Sequence, residues 1–277
     1  MVRKTAIVTG SSSGFGLLCV IELARNGFQV IATMRDTNKA SSLLSIASEL
    51  KLTENIQIET LDVTSADSIA EFEIYLSHLG SIDVLVNNAG LAVGGFCEEL
   101  SIDDYREQFE TNFFGVIAVT KVVLPFMRTR GQGRIINISS ISGRIGFPGL
   151  SPYTASKHAL EGFSESLRLE VKPFGIVVVL VEPGSYKTNI WGSIDRVNIR
   201  EESAYHSYLL ALQKQIESGK SNHGQPEEVA KLVAKIAQQV SSPNLRYLIG
   251  KGVKTNILFK TLLPWKIFES IILKLLK

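Results

Sequence analysis

The chain has 277 residues and a formal net charge of +2, and 45% of its residues are hydrophobic while 20% are charged. This composition excludes a disordered chain and suits a globular protein with a large core. Because this net charge is too small to attract nucleic acid in general, we expect no nucleic-acid partner. Two cysteines are too few for a disulfide framework, which favours a reducing compartment and predicts a cytoplasmic protein. The four histidines show no metal-ligand spacing, and we predict no metal site.

The first 34 residues predict a strand–helix–strand unit. An apolar strand over 5–9 begins almost at once, which leaves no room for a signal peptide. A turn with Gly10, Gly14 and Gly16 then opens a helix that reaches about Asn26, and a second strand covers 28–34. Glycines in this position let the backbone approach a pyrophosphate at the helix N-terminus. The spacing GxxxGxG departs from the generic GxGxxG, and an ordinary helix-opening turn is the alternative.

Helices and strands continue to alternate along the chain. We predict helices over 38–52, 65–79, 101–130 and from Tyr153 to about Lys172, and strands over 56–61, 83–87, 134–139 and 176–181. Such alternation predicts an α/β fold with one Rossmann-type, doubly wound parallel sheet. Residues 1–250 form the expected dinucleotide-binding catalytic domain. Within it, the insertion 185–224 is predicted to be a lid, with extra helices packed on the core as the alternative.

Residues 133–162 bring together the groups best suited to proton transfer. Ser140 ends a strand, Ser151 and Pro152 are predicted as the N-cap and first turn of a helix, and Tyr153 and Lys157 share one face of that helix. A lysine cation and a helix N-terminus should both lower the pKa of the tyrosine from its usual value of about 10. The phenol could then exchange a proton with an alcohol or carbonyl oxygen that Ser140 holds. The alternative is a tyrosine and a lysine on an ordinary amphipathic helix.

With these motifs in order, the chain resembles the short-chain dehydrogenase/reductase family, and within it the hydroxysteroid- and retinol-dehydrogenase-like branch. The resemblance covers residues 5 to about 250. Its motifs are Thr9-Gly10-x3-Gly14-x-Gly16, Asp62-Val63, Asn87-Asn88-Ala89-Gly90, Asn112, Ser140, Tyr153-x3-Lys157 and Pro183-Gly184-x3-Thr188.

The resemblance implies an oxidoreductase that interconverts an alcohol and a ketone or aldehyde by hydride transfer. It assigns Tyr153 as general acid/base, Ser140 as the group that orients the substrate oxygen, Lys157 as a ribose contact, and Asn112 as support for a relay water. The implied cofactor-binding residues are Gly10, Ser12, Ser13, Gly14, Phe15, Gly16, Arg35, Asp62, Val63, Asn88, Ala89, Gly90, Tyr153, Lys157, Pro183, Gly184 and Thr188. The rival hypothesis is a protein that binds or senses NADP(H) without turnover.

The end of the second strand bears on the choice of cofactor. NAD-specific relatives usually place a carboxylate there, where this chain has Met34. The next residue, Arg35, could grip a 2′-phosphate through a charge-assisted pair. We therefore predict NADP(H) over NAD(H), with Asp36 in a shifted turn as the alternative that would favour NAD(H).

The predicted lips of the crevice are 91–99, 141–152 and the insertion 185–224. Their apolar side chains indicate an apolar carbonyl or alcohol substrate: Val93, Phe96, Phe147, Leu150, Ile190 and Trp191. The Gly-rich ending of the tetrameric acyl-carrier reductases is absent, so the expected assembly is a homodimer through the helices that begin near Ser101 and Pro152.

Residues 251–277 form a basic tail with six lysines and one glutamate. On a helical wheel its apolar residues fill one face, namely Ile267, Phe268, Ile271, Ile272, Leu275 and Leu276. The apolar runs are too short to span a bilayer. The tail is therefore predicted either to lie at a membrane surface as a basic amphipathic helix or to pack on its own domain or on a partner subunit.

Overall fold

The computed structural model describes residues 3–188, 202–219 and 223–274. One seven-stranded sheet, with every pair of neighbours parallel, has the order β3-β2-β1-β4-β5-β6-β7. Its strands are β1 (Thr5–Val8), β2 (Gln29–Met34), β3 (Ile56–Thr60), β4 (Val84–Asn87), β5 (Gly133–Ile138), β6 (Ile176–Pro183) and β7 (Arg246–Ile249). The strand order reverses between β1 and β4, which makes their carboxyl ends the topological switch point where such sheets bind ligands. The predicted doubly wound α/β topology is confirmed.

Helices cover both faces of this sheet. They are α1 (Gly14–Arg25), α2 (Ser41–Glu49), α3 (Ala66–Ser77), α4 (Ile102–Phe109), α5 (Gly115–Arg130), α6 (Ser151–Val171), α7 (His206–Gly219), α8 (Glu227–Gln238), α9 (Val253–Leu262) and α10 (Trp265–Lys274). Successive residues of each central strand point to opposite faces, so Ala6 and Val8 pack with α1 and α8, while Ile7 packs with α3, α5 and α6. Both faces are buried, which explains the unbroken apolar runs of the strands.

The predicted long helix over 101–130 consists of α4, a π-helical turn at Glu110–Phe114 and α5. The segment Ile102–Arg130 is long and apolar enough to cross a membrane. Its Val119, Val123 and Met127 are nevertheless fully buried in the core beneath the sheet. One face of α5 is therefore packed in the protein core.

The start of α6 differs from the prediction. Ser151 is the first residue of the helix, and Leu150 holds the N-cap position without a side-chain cap. The Ser151 hydroxyl instead lies 2.7 Å from that of Tyr105 on α4. Pro152 sits in the first turn as predicted, because a missing N–H costs nothing there.

The insertion and the tail both contain helices that pack on the domain. In the insertion, Tyr205 stacks on Phe96 with ring centroids 4.5 Å apart, just before α7. The tail forms α9 and α10, and its Val253, Ile257 and Phe268 are buried together with Ile145. The predicted apolar face of the tail is thus partly a packing face, while Leu275 and Leu276 lie outside the described residues.

This packing predicts a difference between two apolar residues of α10. Phe268 is 8% exposed and belongs to the tail cluster, our name for Ile145, Val253, Ile257 and Phe268. Ile271 is 46% exposed. Phe268→Ala should lower the free energy of unfolding by about 2–4 kcal/mol because it opens a cavity. Ile271→Ala, the matched control, should change it by less than about 0.5 kcal/mol. Urea unfolding measures both, and equal effects would contradict the assigned packing.

Candidate active site

The glycine turn after β1 is shaped by backbone conformation and close contacts. Gly10 and Gly14 have φ angles of +65° and +57°, which favour glycine. A Cβ at Gly10 would lie 2.7 Å from the Ala89 Cα, and one at Gly16 would lie 2.3 Å from the Gly10 carbonyl oxygen. Larger residues therefore cannot replace Gly10 or Gly16 unless the backbone moves.

Asn88 holds this turn in place from the end of β4. Its Nδ2 donates to the carbonyl oxygens of Thr9 at 2.9 Å and Gly10 at 3.0 Å. The Thr9 hydroxyl in turn accepts from the backbone N–H groups of Asn88 and Ala89. The resemblance implied that Asn88 binds the cofactor, and in the structure its side chain also fixes the glycine turn.

The N-terminus of α1 suits an anionic group. Ser13 is its N-cap but makes no side-chain cap, and the first turn carries no acidic residue. The first N–H groups of the helix thus lack a cap, and the helix dipole adds positive potential. Thr188 lies over this turn, since a Cβ on Gly14 would be 3.9 Å from the Thr188 Cβ. These residues fit the pyrophosphate of a dinucleotide.

After β2, the structure distinguishes Arg35 from Asp36, the two charged residues that bear on the choice between NADP(H) and NAD(H). Asp36 accepts a hydrogen bond from the Asn38 N–H at 3.0 Å and so caps a short 3₁₀ turn. Arg35 is exposed beside it. After β3, the Asp62 carboxylate accepts from the backbone and hydroxyl of Thr64 at 2.9 and 2.7 Å, while Val63 is buried. The Asp36 carboxylate is occupied locally, whereas Arg35 faces solvent at the strand end.

Tyr153, Ser140 and Lys157 meet at the carboxyl end of β5. All three are less than 10% exposed. The Lys157 Nζ donates to the Ile138 carbonyl at 2.8 Å and lies 5.7 Å from the centroid of the Tyr153 ring. The Ser140 Oγ accepts from the Ser142 N–H at 3.1 Å and so orders the loop that follows β5. The strand end therefore holds the serine, and the same strand anchors the lysine.

The pKa of Tyr153 lies in the opposite direction to the prediction. Burial raises it above 10.0, and hydrogen bonding with Ser140 offsets this only in part. Burial also lowers the pKa of Lys157 from 10.5 to about 8, against the opposing charge of Glu161. The expected net lowering of the tyrosine pKa does not occur, because the Lys157 ammonium group donates to the Ile138 carbonyl and desolvation of the buried phenol is the larger effect.

Asn112 occupies the π-helical turn and is 1% exposed. Its Oδ1 accepts from the Leu91 N–H and its Nδ2 donates to the Leu91 carbonyl, both at 2.9 Å. A longer contact of 3.4 Å reaches the Ser156 Oγ on α6. The side chain thus ties the loop after β4 to α6, a task that the relay-water role from the resemblance did not include. π-Turns of this kind occur often at functional sites.

The strand ends that carry these groups lie side by side, as the motif order led us to expect. The sequence model of the short chain dehydrogenase family, adh_short, matches residues 4–198. The chain belongs to the short-chain dehydrogenase/reductase family.

Named relatives extend over almost the whole chain. Identity is 51% to the uncharacterized oxidoreductase YusZ of Bacillus subtilis, over 99% of both chains. It is 38% to 3-ketodihydrosphingosine reductase of Bacteroides thetaiotaomicron, over 96% of this chain and 94% of the relative. It is 37% to retinol dehydrogenase 8 of Bos taurus, over 88% of this chain and 82% of the relative. The relatives of this chain are therefore oxidoreductases, and a retinol dehydrogenase is among them.

Solved structures agree with the fold. A short-chain dehydrogenase from Streptomyces avermitilis superposes with a TM-score of 0.80 at 34% identity, covering 95% of this chain and 93% of that one. Actinorhodin polyketide ketoreductase, solved with NADPH, gives a TM-score of 0.77 at 32% identity, covering 91% and 97%.

The sequence analysis missed a cluster of charged residues that joins α6, β6 and β7. Arg246 Nε lies 3.0 Å from Glu161 Oε2 and 3.2 Å from Glu182 Oε1. The other oxygen of Glu161 accepts from the Ser139 hydroxyl at 2.5 Å. Glu161 is one turn beyond Lys157 on α6, so the i, i+4 spacing was the available signal. The partner Arg246 lies 85 residues further along the chain, and no local pattern links the two.

The predicted lips of the crevice are only partly as expected. The Gly95 N–H donates to the Gly149 carbonyl at 2.9 Å, so the loops 91–99 and 141–152 meet. Phe96 stacks on Tyr205, as described above. Phe147 also packs against the tail cluster of Ile145, Val253, Ile257 and Phe268. Ile190 and Trp191 lie outside the described residues.

Pro183 and Gly184, two further predicted cofactor-binding residues, lie at the end of β6. The Gly184 N–H donates to the Ile249 carbonyl of β7 at 2.9 Å. A Cβ at Gly184 would lie 2.7 Å from the Val253 side chain. The backbone here is thus held between β7 and the start of the tail.

The charge cluster predicts an unusual dependence of stability on pH. Glu182 is fully buried, and burial first, then the charge of Glu161, raises its pKa from 4.5 to about 7 despite Arg144 and Arg246. Between pH 4.5 and about pH 7, Glu182 therefore keeps its proton in the folded protein but has lost it in the unfolded chain. The free energy of unfolding should therefore fall as pH rises through this window, by roughly 1–3 kcal/mol from this group.

Glu182→Gln should remove that part of the pH dependence, because glutamine does not titrate. Thermal unfolding on either side of the window measures it. Glu165→Gln is the matched control, since Glu165 also pairs with Arg246 but its side chain is 54% exposed. If the Glu182→Gln variant kept the full pH dependence of the unmodified protein, another group would have to cause it.

Proposed function

We propose that the chain is an NADP(H)-dependent oxidoreductase that interconverts an apolar ketone or aldehyde and its alcohol. The observation that carries the proposal is the buried set of Ser140, Tyr153 and Lys157 at the same edge of the sheet as the uncapped N-terminus of α1. A protein that only binds or senses the dinucleotide has no need of a buried phenol and ammonium group at the strand end. When bound, the nicotinamide dinucleotide supplies the hydride chemistry.

The protein's own residues then handle the proton. In the direction of reduction, Ser140 donates a hydrogen bond to the carbonyl oxygen, and Tyr153 transfers its hydroxyl proton to that oxygen as negative charge develops. The raised pKa of Tyr153 keeps the phenol protonated at neutral pH, so it is ready to donate. The Lys157 ammonium group stabilises the phenolate that remains.

The preference for NADP(H) rests on Arg35 and Asp36. Arg35 is exposed at the end of β2, and the Asp36 carboxylate is engaged with Asn38. A guanidinium group can pair with a 2′-phosphate through two hydrogen bonds. The ketoreductase at 32% identity was solved with NADPH, which is consistent with this choice.

The apolar substrate follows from the crevice and from the relatives. Phe96 and Tyr205 stack where the insertion meets the loop after β4, and Leu212 of α7 lies against Gly149. We propose that the insertion 185–224 acts as a lid over this apolar surface. Two relatives are named for 3-ketodihydrosphingosine and retinol, both of which have long hydrocarbon portions.

Assembly and location complete the proposal. Helices α4 and α6 and the π-helical turn between α4 and α5 expose Ile102, Leu169 and Phe114 by 66, 74 and 50%, which supports a homodimer through these helices. We also propose a cytoplasmic location, in keeping with two free cysteines. Sedimentation velocity tests the dimer.

The function is tested by mixing the purified chain with NADPH or NADH and a panel of long-chain ketones and aldehydes. Oxidation of NADPH by members of the panel is expected, and the loss of nicotinamide absorbance measures it. Tight NADPH binding without turnover of any compound would instead favour the sensing protein.

Tyr153→Phe should reduce turnover by more than about 100-fold, because the phenol carries the transferred proton. NADPH binding should change little, since the glycine turn and α1 hold most of the cofactor. Tyr105→Phe is the matched control, as it removes a hydroxyl that bonds with Ser151, at the start of the same helix, and with Cys97. Activity of the Tyr153→Phe variant within a few-fold of the unmodified protein would disprove the role.

Arg35→Ala should weaken NADPH binding by roughly 1.5–3 kcal/mol, the value of a charged hydrogen bond, and leave NADH binding nearly unchanged. Isothermal titration with both cofactors measures this. Asp36→Asn is the control, because its carboxylate caps the local turn. Equal losses for both cofactors in the Arg35→Ala variant would show that this side chain does not contact the 2′-phosphate.

A further inference from the structure

The two helices of the tail turn an apolar surface away from the body of the protein. We call this surface the outer tail face, which comprises Leu258, Phe259, Leu262, Ile267 and Ile271, exposed by 55, 53, 69, 50 and 46%. Leu258 and Leu262 are one turn apart on α9, as are Ile267 and Ile271 on α10. Large exposed apolar patches with a polar rim mark sites of interaction with proteins or membranes.

The outer tail face is not needed to hold the tail on the domain. Val253 and Ile257 of α9 and Phe268 of α10 are the inward residues of the tail and are buried with Ile145. Lys260 adds a hydrogen bond of 2.5 Å to the Arg144 carbonyl. The tail is therefore anchored through one face while the second apolar face stays exposed to another surface.

Basic residues border the outer tail face. Lys254, Lys266 and Lys274 are exposed, and Glu269 is the one acidic residue in 251–277. Trp265 begins α10, is 62% exposed, and has its ring centroid 5.8 Å from that of the inward residue Phe268. Lysines beside an exposed apolar face, with an exposed aromatic residue on the same helix, are typical of helices that lie in the interface of an anionic membrane.

The tail also contacts the entrance to the active site. Ile145 and Phe147, which pack with Phe268, belong to the loop between Ser140 and Tyr153. A surface bound through the tail would thus lie close to one lip of the crevice.

We propose that α9 and α10 dock the outer tail face on an anionic lipid surface, as a peripheral contact. Each helix has ten residues and is about 15 Å long, half of the hydrocarbon thickness, so neither spans a bilayer. A second copy of the chain fits less well, because symmetric pairing would bring two sets of lysines together. The proposal does not depend on which substrate the active site takes.

Co-sedimentation with vesicles tests the proposal. The full chain should bind equimolar phosphatidylcholine–phosphatidylserine vesicles at low salt and bind much less to pure phosphatidylcholine or at high salt. Leu258→Ser combined with Leu262→Ser should weaken binding by about 10- to 100-fold, because apolar area is lost from the interface. Lys254→Gln, Lys266→Gln and Lys274→Gln together should weaken it by a similar factor.

Two controls make the result decisive. Ile74→Ser removes an apolar side chain on α3 that is 64% exposed but far from the tail in sequence, and it should bind vesicles as the unmodified chain does. Thermal unfolding of all variants should stay unchanged, since the inward residues Val253, Ile257 and Phe268 are retained.

Absence of vesicle binding by the full chain, or unaltered binding by both tail variants, would overturn the proposal. Sedimentation velocity identifies the other occupant: if the leucine variant dissociates a dimer and no form binds vesicles, the outer tail face is an interface between copies of the chain.

Discussion

The active site depends on the way in which α6 is bonded to the end of β5. Lys157 donates to the Ile138 carbonyl, and Ser139 donates to Glu161 one turn further along the helix. These two buried bonds involve Ile138 and Ser139, the residues just before Ser140. They hold the end of β5 against α6, the helix that carries Tyr153. Because the bonds lie in a desolvated region, each is stronger than in water and costly to leave unmade. The spacing between hydroxyl, phenol and ammonium group follows from this clamp.

The clamp continues into the sheet through a shared guanidinium group. Arg246 of β7 meets Glu161 and the fully buried Glu182 of β6, so two carboxylates lie around one cation. The cost of removing two carboxylates from water exceeds what pairing with this cation returns, which is why the Glu182 pKa rises. The same cluster joins β7, β6 and α6. A structural role for these charges and a role in holding the active site are therefore two aspects of one arrangement.

Most of the fold could be predicted because its signals are local. Apolar strands alternating with amphipathic helices indicate the doubly wound sheet, and the glycine turn marks its first crossing. The occupation of the Asp36 carboxylate was also within reach, since a contact with the N–H two residues on is a common Asx turn. The Arg246 cluster and the bonds from Asn88 to Thr9 were not predictable, because they join segments about 80 residues apart and carry no periodic signal. The cap at Ser151 was mistaken because Tyr105 on another helix competes for its hydroxyl.

The pKa of Tyr153 shows how tertiary structure changes the chemistry that a motif suggests. The spacing of tyrosine and lysine on one helix face is correct, and the two side chains lie close together. Proximity alone would lower the pKa of the phenol, yet both groups are buried, and burial disfavours the charged form of each. The two effects oppose each other, and in the protein alone desolvation is the larger. A bound ligand that adds hydrogen bonds and polar surface to this site would reduce the desolvation cost of both charges. The motif therefore encodes which groups meet, while their burial in the folded protein determines the pKa of each.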